Sequence, residues 1–143
     1  MSKKPSYEEL EQRIAELEES QSFFSSLFDM LPEYVSYIDK NNTYRFANKT
    51  YQKFFNVDPH SIIGMQPKEV LGDEAYEEIA HRHESALSGQ EQNYESKFLL
   101  PNGDTFYFRA NYLPHIENDH IKGFLAVVQD ITEEKDTERQ ISA

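Results

Sequence analysis

From Tyr7 onward the chain repeats at alternating spacings of three and four residues: Tyr7, Leu10, Ile14, Leu17, Gln21, Phe24, Phe28 and Leu31, apolar at every place but Gln21. That period predicts one long amphipathic helix with a coiled-coil stripe along it. With Tyr7 at an a position, Arg13 falls at g and Glu18 at the next e, where a parallel second copy brings opposite charges together. Ser6 with Glu9 three residues on, just past Pro5, predicts a capping-box start, and Pro32 ends the helix. A solvated amphipathic helix lying on its own domain fits the same stripe. On either reading Phe23, Phe24, Leu27 and Phe28 are too apolar for water, so this half of the helix covers something.

From Glu33 the period shortens to two. Tyr34 to Asp39 and Thr43 to Ala47 predict a β-hairpin around Lys40-Asn41-Asn42. A short helix capped by Asn48 follows to Phe55, and Asp58-Pro59 and Ile63-Gly64-Met65 punctuate a loop and short-helix region. Asp73 to Ser88 predicts the clearest internal helix, with Tyr76, Ile79, Ala80, His83 and Leu87 on one face and Gly89 as its stop. His83 thus faces inward and His81 faces solvent. Three strands complete the chain: Gln92 to Leu100, a turn at Pro101-Asn102-Gly103-Asp104, Thr105 to Leu113, a looser loop at Glu117-Asn118-Asp119, and Ile121 to Ile131.

The expected fold class is therefore α+β: a five-stranded antiparallel sheet with helices inserted between its second and third strands and gathered on one side. In the last strand Phe124, Ala126 and Val128 alternate with Leu125 and Val127, so both faces of the sheet require burial. The Phe23 to Phe28 cluster, from this chain or from a second copy, is the apolar surplus that fits the outer face. A length of 143 residues holds one domain. The expected organisation is an N-terminal amphipathic helix over 1–27, a domain over 28–132, and the start of a C-terminal helix over 133–143.

Composition narrows the function. Apolar residues are 38%, which leaves the two ends of the chain solvated. The formal charge of -12 repels phosphate backbones and anionic lipid, so neither nucleic acid nor direct membrane contact is expected. Cysteine is absent, which excludes disulfides, thiolate metal sites, cysteine nucleophiles and a cysteinyl-flavin adduct, and is compatible with a reducing compartment. The charged stretch Met1 to Glu9 lacks the apolar core of a secretory signal. The longest apolar run, Phe124 to Val128, is far short of the ~20 residues that span a bilayer, so a cytoplasmic location is expected.

Several local strings carry a resemblance. Leu31-Pro32-Glu33 precedes the first strand, and Asp39-Lys40-Asn41-Asn42-Thr43-Tyr44-Arg45-Phe46-Ala47-Asn48-Lys49-Thr50-Tyr51 forms the hairpin and first helix. Ile63-Gly64, Pro101-Asn102-Gly103 and Gly123 stand at later turns, and Asp130-Ile131-Thr132-Glu133 closes the last strand. In this order the strings resemble the PAS domain family over roughly residues 28 to 132, most specifically in the Asp-Ile-Thr ending that precedes a signalling helix. The resemblance implies a sensory module of a signal-transduction or two-component system, working on an effector such as a histidine kinase or cyclase. The alternative it leaves open is a ligand-free dimerisation or protein-interaction module.

Asp130 can accept hydrogen bonds from the Thr132 hydroxyl or nearby amides and fix the angle between strand and helix, which makes Asp130 and Thr132 the expected transmission joint. A capped, frayed tail is the plainer reading. Leu10, Ile14, Leu17, Phe24 and Phe28 are the expected contacts of a homodimer formed through the N-terminal helix and the outer sheet face. Tyr37, Tyr44, Phe46, Tyr51, Phe55, Ile63, Ile79, His83, Phe98, Phe108 and Leu125 are candidates to line a ligand cavity between sheet and helices, or to fill it as core. Arg109 presents a fork of donors suited to a ligand carboxylate, unless it is a surface residue of the sheet. Haem-binding members of the family use a helix histidine, so His83 is either an iron ligand or a core histidine with a local hydrogen-bond partner. His81-Arg82-His83-Glu84 lacks the second histidine of a zinc-protease site. No nucleophile, base and electrophile cluster can be assembled, and no enzyme activity is expected.

Overall fold

The computed structural model describes residues 3–55, 58–99 and 103–142. Helix α1 spans Tyr7–Asp29, and the Ser6 hydroxyl accepts the Glu9 amide at 3.2 Å, as its capping position predicts. Strands β1 (Tyr34–Asp39) and β2 (Tyr44–Ala47) form the hairpin, with Asn42 at a left-handed φ of +57° in its turn. Helix α2 (Thr50–Phe55), a 3₁₀ turn (Pro59–Ile62), α3 (Pro67–Leu71) and α4 (Asp73–Leu87) follow. Strands β3 (Gln92–Leu99), β4 (Thr105–Glu117) and β5 (His120–Asp130) lead into α5 (Thr132–Ser142). The strands form one five-stranded antiparallel sheet in the order β2-β1-β5-β4-β3. The α+β class and the insertion of helices between the second and third strands are as the sequence predicts.

Two local details differ from expectation. Asn48 does not cap α2: its side chain turns back, accepting the Val35 amide at 3.0 Å and donating to the carbonyls of Phe28 and Glu33 at 2.8 and 2.9 Å. The β4–β5 connection is a tight two-residue turn rather than a loose loop, because Asn118 and Asp119 both adopt positive φ, 51° and 63°, and Glu117 pairs with His120. The 3₁₀ turn and helix α3 are the short helices expected around Asp58-Pro59 and Ile63-Gly64-Met65. Of the turn before β4, Pro101 and Asn102 lie outside the described residues.

A bulge in β2 decides which side chains reach the core. Tyr37 pairs with Phe46, but Ile38 pairs with Tyr44, so Arg45 is the extra residue. Tyr44 and Phe46, two apart in sequence, consequently lie on opposite faces of the sheet. Arg45 reaches back to Asp39, with Nε 2.6 Å from Oδ2.

The inner face carries Tyr34, Ser36 and Ile38 of β1 against Val128, Ala126 and Phe124 of β5. Phe106, Phe108, Ala110 and Tyr112 of β4 extend it, and Ile62, Ile79 and Ala86 pack from the helices. Phe124 is 0% exposed, and burying one such ring stabilises by about 2–3 kcal/mol. Beside it Gly123 is obligatory, because a Cβ there would stand 2.2 Å from the Ile38 carbonyl oxygen.

The outer face is less complete. Val35 is buried, Tyr37, Leu125 and Val127 are half-buried, and Leu113 is exposed. The chain's own α1 does not supply the expected cover: Phe23 and Phe24 are 58% and 57% exposed. Among the described residues, α1 is fastened to the sheet at its C-terminal end. Phe28 packs edge-on against Phe46 at 5.4 Å between ring centroids, Asn48 holds the Phe28 carbonyl, and Asp29 accepts the Lys49 amide at 2.8 Å. No helix among the described residues is long and apolar enough to cross a membrane.

Candidate functional site

Between the inner face and the inserted helices lies a cavity of about 50 Å³. Its wall combines β1 (Tyr34, Ser36, Ile38), β2 (Tyr44), α2 (Tyr51), α3 (Leu71), α4 (Ile79, His83), β3 (Phe98), β4 (Phe106, Phe108, Tyr112) and β5 (Ala126, Val128). Among the described residues no Asp, Glu, Lys or Arg stands in the wall. Alternation along β1, β4 and β5 projects every second residue into this space, which is why one stretch of sheet can line it with so many rings.

Of the residues expected there, Tyr44, Tyr51, Ile79, His83, Phe98 and Phe108 are brought together. Tyr37 and Leu125 are not. They pair with each other on the outer face, where the Tyr37 hydroxyl meets Nδ1 of His115 at 2.6 Å. Phe46 is carried to the outer face by the bulge and packs on Phe28. Ile63 is 40% exposed, and its neighbour Ile62 takes the buried place. The side chain of Phe55 lies outside the described residues. Tyr34, Ser36, Ile38, Leu71, Phe106, Tyr112, Ala126 and Val128 were missed, although counting in twos from Phe124 would have found Ala126 and Val128.

His83 is 3% exposed and both ring nitrogens are engaged: Nδ1 lies 3.2 Å from Asn42 Oδ1 and Nε2 lies 3.2 Å from the Tyr112 hydroxyl. The Asn42 amide nitrogen donates to the Tyr76 hydroxyl at 2.7 Å, so its oxygen is the acceptor for His83. Burial pushes the His83 pKa down to about 4, so the ring is neutral near pH 7. The pattern then fixes the tautomer: Nδ1 carries the proton, Nε2 accepts from Tyr112, and Tyr112 accepts from the Tyr94 hydroxyl at 2.7 Å. This chain of bonds ties the β1–β2 turn, α4, β4 and β3 together across the cavity wall. Burial also raises the phenols, Tyr51 to about 12 and Tyr44 and Tyr112 well above 10, so they keep their protons.

Haem does not fit this site. Both His83 nitrogens are already bonded, and a cavity of about 150 Å³ is the size that holds one benzene, a ring far smaller than haem. The space here is a third of that. Of the two readings of His83, the core histidine with local hydrogen-bond partners matches the geometry.

Arg109 is also away from the cavity. It lies on the outer face, its guanidinium 3.3 Å from Glu95 and 3.6 Å from Glu134 and donating to Gln129 at 3.2 Å. Its carboxylates are the protein's own. Hydrogen bonds from Lys135, and then from Arg109, hold the Glu95 carboxyl below its usual range.

The same part of β4 holds α5. The Tyr107 amide donates to the Thr132 hydroxyl at 3.1 Å, the Ile131 amide donates to the Tyr107 carbonyl at 2.9 Å, and the Thr132 amide donates to Asp130 Oδ1 at 2.9 Å. Arg139, farther along α5, donates to the Tyr107 hydroxyl at 2.8 Å and lies over its ring. Asp130 and Thr132 thus stand together at the joint. Leu10, Ile14, Leu17 and Phe24 of α1 remain exposed, while Phe28 is spent on Phe46.

A single antiparallel sheet, a cavity under helices inserted after its second strand, and a helix departing from its last strand place the chain in a known class of α+β domain. Residues 28–136 match the family model of the PAS fold, and the chain belongs to that family, whose domains serve as sensory or interaction modules. Among solved structures it is similar to the PAS domain of an HTR-like protein from Haloarcula marismortui, with 22% identity, 85% of this chain and 99% of that one covered, and a TM-score of 0.59. The PAS domain of Bordetella pertussis BvgS is similar at 22% identity over 87% and 95% of the two chains, TM-score 0.64. The Vibrio cholerae VqmA dimer is similar at 20% identity over 76% of this chain and 50% of that one, TM-score 0.62. A comparison with curated proteins gives no match.

Proposed function

We propose that this chain is the sensory or regulatory PAS module of a cytoplasmic signal-transduction protein. A small ligand in the cavity biases the sheet, and the flanking helices carry the change to an effector such as a histidine kinase or cyclase. One observation carries the reading. Tyr107, whose backbone grips Ile131 and Thr132 at the start of α5, sits in β4 between Phe106 and Phe108, two residues of the cavity wall. A displacement of the wall is therefore a displacement of the joint.

Among the similar structures, VqmA has been solved bound to DPO and in a complex with ligand and DNA, which supports a ligand-binding reading for this fold. The charge of -12 argues against DNA as a partner of this chain. The exposed seam of Leu10, Ile14, Leu17 and Phe24 and the incomplete outer face favour a homodimer, in which the second copy supplies the cover that α1 does not give its own sheet.

Freshly purified full chain, denatured and examined by mass spectrometry and visible absorption, should release a small molecule without a haem or flavin spectrum. Reproducible recovery of nothing, with a fold insensitive to metabolite libraries, contradicts the sensory reading in favour of a ligand-free interaction module. In the same preparation the mass in solution should be that of a dimer, and Ile14→Asp should return it to a monomer.

A further inference from the structure

We infer that the cavity selects an uncharged ligand of a few heavy atoms that offers one hydrogen-bond acceptor to the Tyr44 hydroxyl. The inference rests on the sensory reading above and adds the chemical class of what is sensed.

Size comes first. A space of about 50 Å³ is a third of the ~150 Å³ that accommodates benzene, which leaves room for a compact molecule and none for a cofactor ring system. Charge comes next. With no ionised side chain among the described residues of the wall, an ion entering this space would lose its hydration without a partner. His83 does not change that, since its ring is neutral and both nitrogens are committed.

Polarity is the specific part. The wall hydroxyls of Tyr51 and Tyr112 already have partners, Ser36 Oγ at 3.0 Å and His83 Nε2 at 3.2 Å. Tyr44 differs. It is 3% exposed, its ring packs edge-on to Tyr51, and its hydroxyl makes no hydrogen bond among the described residues. Among the described residues the side-chain atom sealed in protein without a partner is Glu33 Oε2, so the Tyr44 oxygen keeps contact with open space, and the cavity is the open space that Tyr44 lines. Because burial holds the phenol protonated, Tyr44 presents an O–H donor to that space. An orphaned buried donor is rarer and costlier than an acceptor with a spare lone pair, so the group it calls for is an acceptor.

Four probes test this on the full chain by the NMR shifts of Ile79 and Ala126: xenon, and acetone, isobutene and acetate, which share one shape and size. Xenon reports the cavity itself. Acetone and isobutene should both perturb these resonances saturably, with dissociation constants no tighter than tens of micromolar, and acetate should not. Tyr44→Phe should weaken acetone about tenfold relative to isobutene while leaving xenon unchanged. An unchanged acetone-to-isobutene ratio, or acetate binding as tightly as acetone, overturns the ligand class while the cavity reading stands. Failure of xenon to shift either resonance overturns the cavity reading, and this inference falls with it.

Discussion

On the inner side of β1 and β5, Tyr34, Ser36 and Ile38 meet Val128, Ala126 and Phe124 beneath the inserted helices. On the outer side of the same strands, Val35 and Tyr37 meet Val127 and Leu125, and on neighbouring β4 Leu113 stands in water. The inner face holds rings, neutral hydroxyls and a neutral histidine; the outer face holds Arg109, Glu95, Glu134 and Lys135 in exposed ion pairs that steady α5. Side-chain parity therefore divides the labour. In β4, Phe106 and Phe108 point toward the cavity, and Tyr107 and Arg109 between and beyond them hold the departing helix. One strand touches both the cavity wall and the start of α5.

The largest expected contrast between the faces is in packing. Phe124→Ala should cost about 3–5 kcal/mol by chemical denaturation, whereas Leu113→Ala, on the exposed side, should cost about 0.5 kcal/mol or less in the monomer. Similar losses at the two positions would break the comparison.

Next comes pH. His83 has a folded pKa of about 4 against 6.5 unfolded, so between these values the unfolded chain binds the extra proton. The resulting stability is fully present above pH 7 and is lost as pH falls through 6.5 toward 4, on the order of 3 kcal/mol. Denaturation across that range should show the loss in the parent chain and a flatter profile in His83→Gln. Parallel profiles would show that His83 titrates normally in the fold.

Asn48 tests how α1 is fastened to the sheet. Asn48→Ala orphans the Val35 amide and the Phe28 and Glu33 carbonyls, and should cost about 2–3 kcal/mol while increasing amide exchange at the C-terminal end of α1. A smaller loss than that at Asn48 belongs to the opposite end. Asp130→Ala removes one cap bond, to the Thr132 amide, and should cost about 1 kcal/mol with faster exchange confined to the first turn of α5.

Much of this was legible in the sequence. Strand β1 falls at Tyr34–Asp39 as its alternation predicts, and α4 carries His83 inward at the end of a clear 3.6-residue period. The cavity was harder to read because Tyr34-Val35-Ser36-Tyr37-Ile38-Asp39 is apolar in both phases, with a serine in the inward one. Only its register with Ala126 shows which phase is inner. Phe46 was misplaced for a different reason: a bulge adds one residue and reverses parity, and nothing in Tyr44-Arg45-Phe46 announces it. Arg109 has the chemistry of a ligand clamp, but its partners Glu95 and Glu134 come from distant parts of the chain and meet it only through the β3–β4 pairing and the joint to α5.

The link between the faces can be measured directly by amide exchange in α5, with and without xenon in the cavity, in the parent chain and in Thr132→Val. Occupancy, reported by Ile79 and Ala126, should change protection at Tyr107 and at Lys135, whose amide closes the first turn on Ile131, severalfold in the parent and much less in the variant. A filled cavity that leaves Tyr107 and α5 exchanging at their original rates would contradict the account.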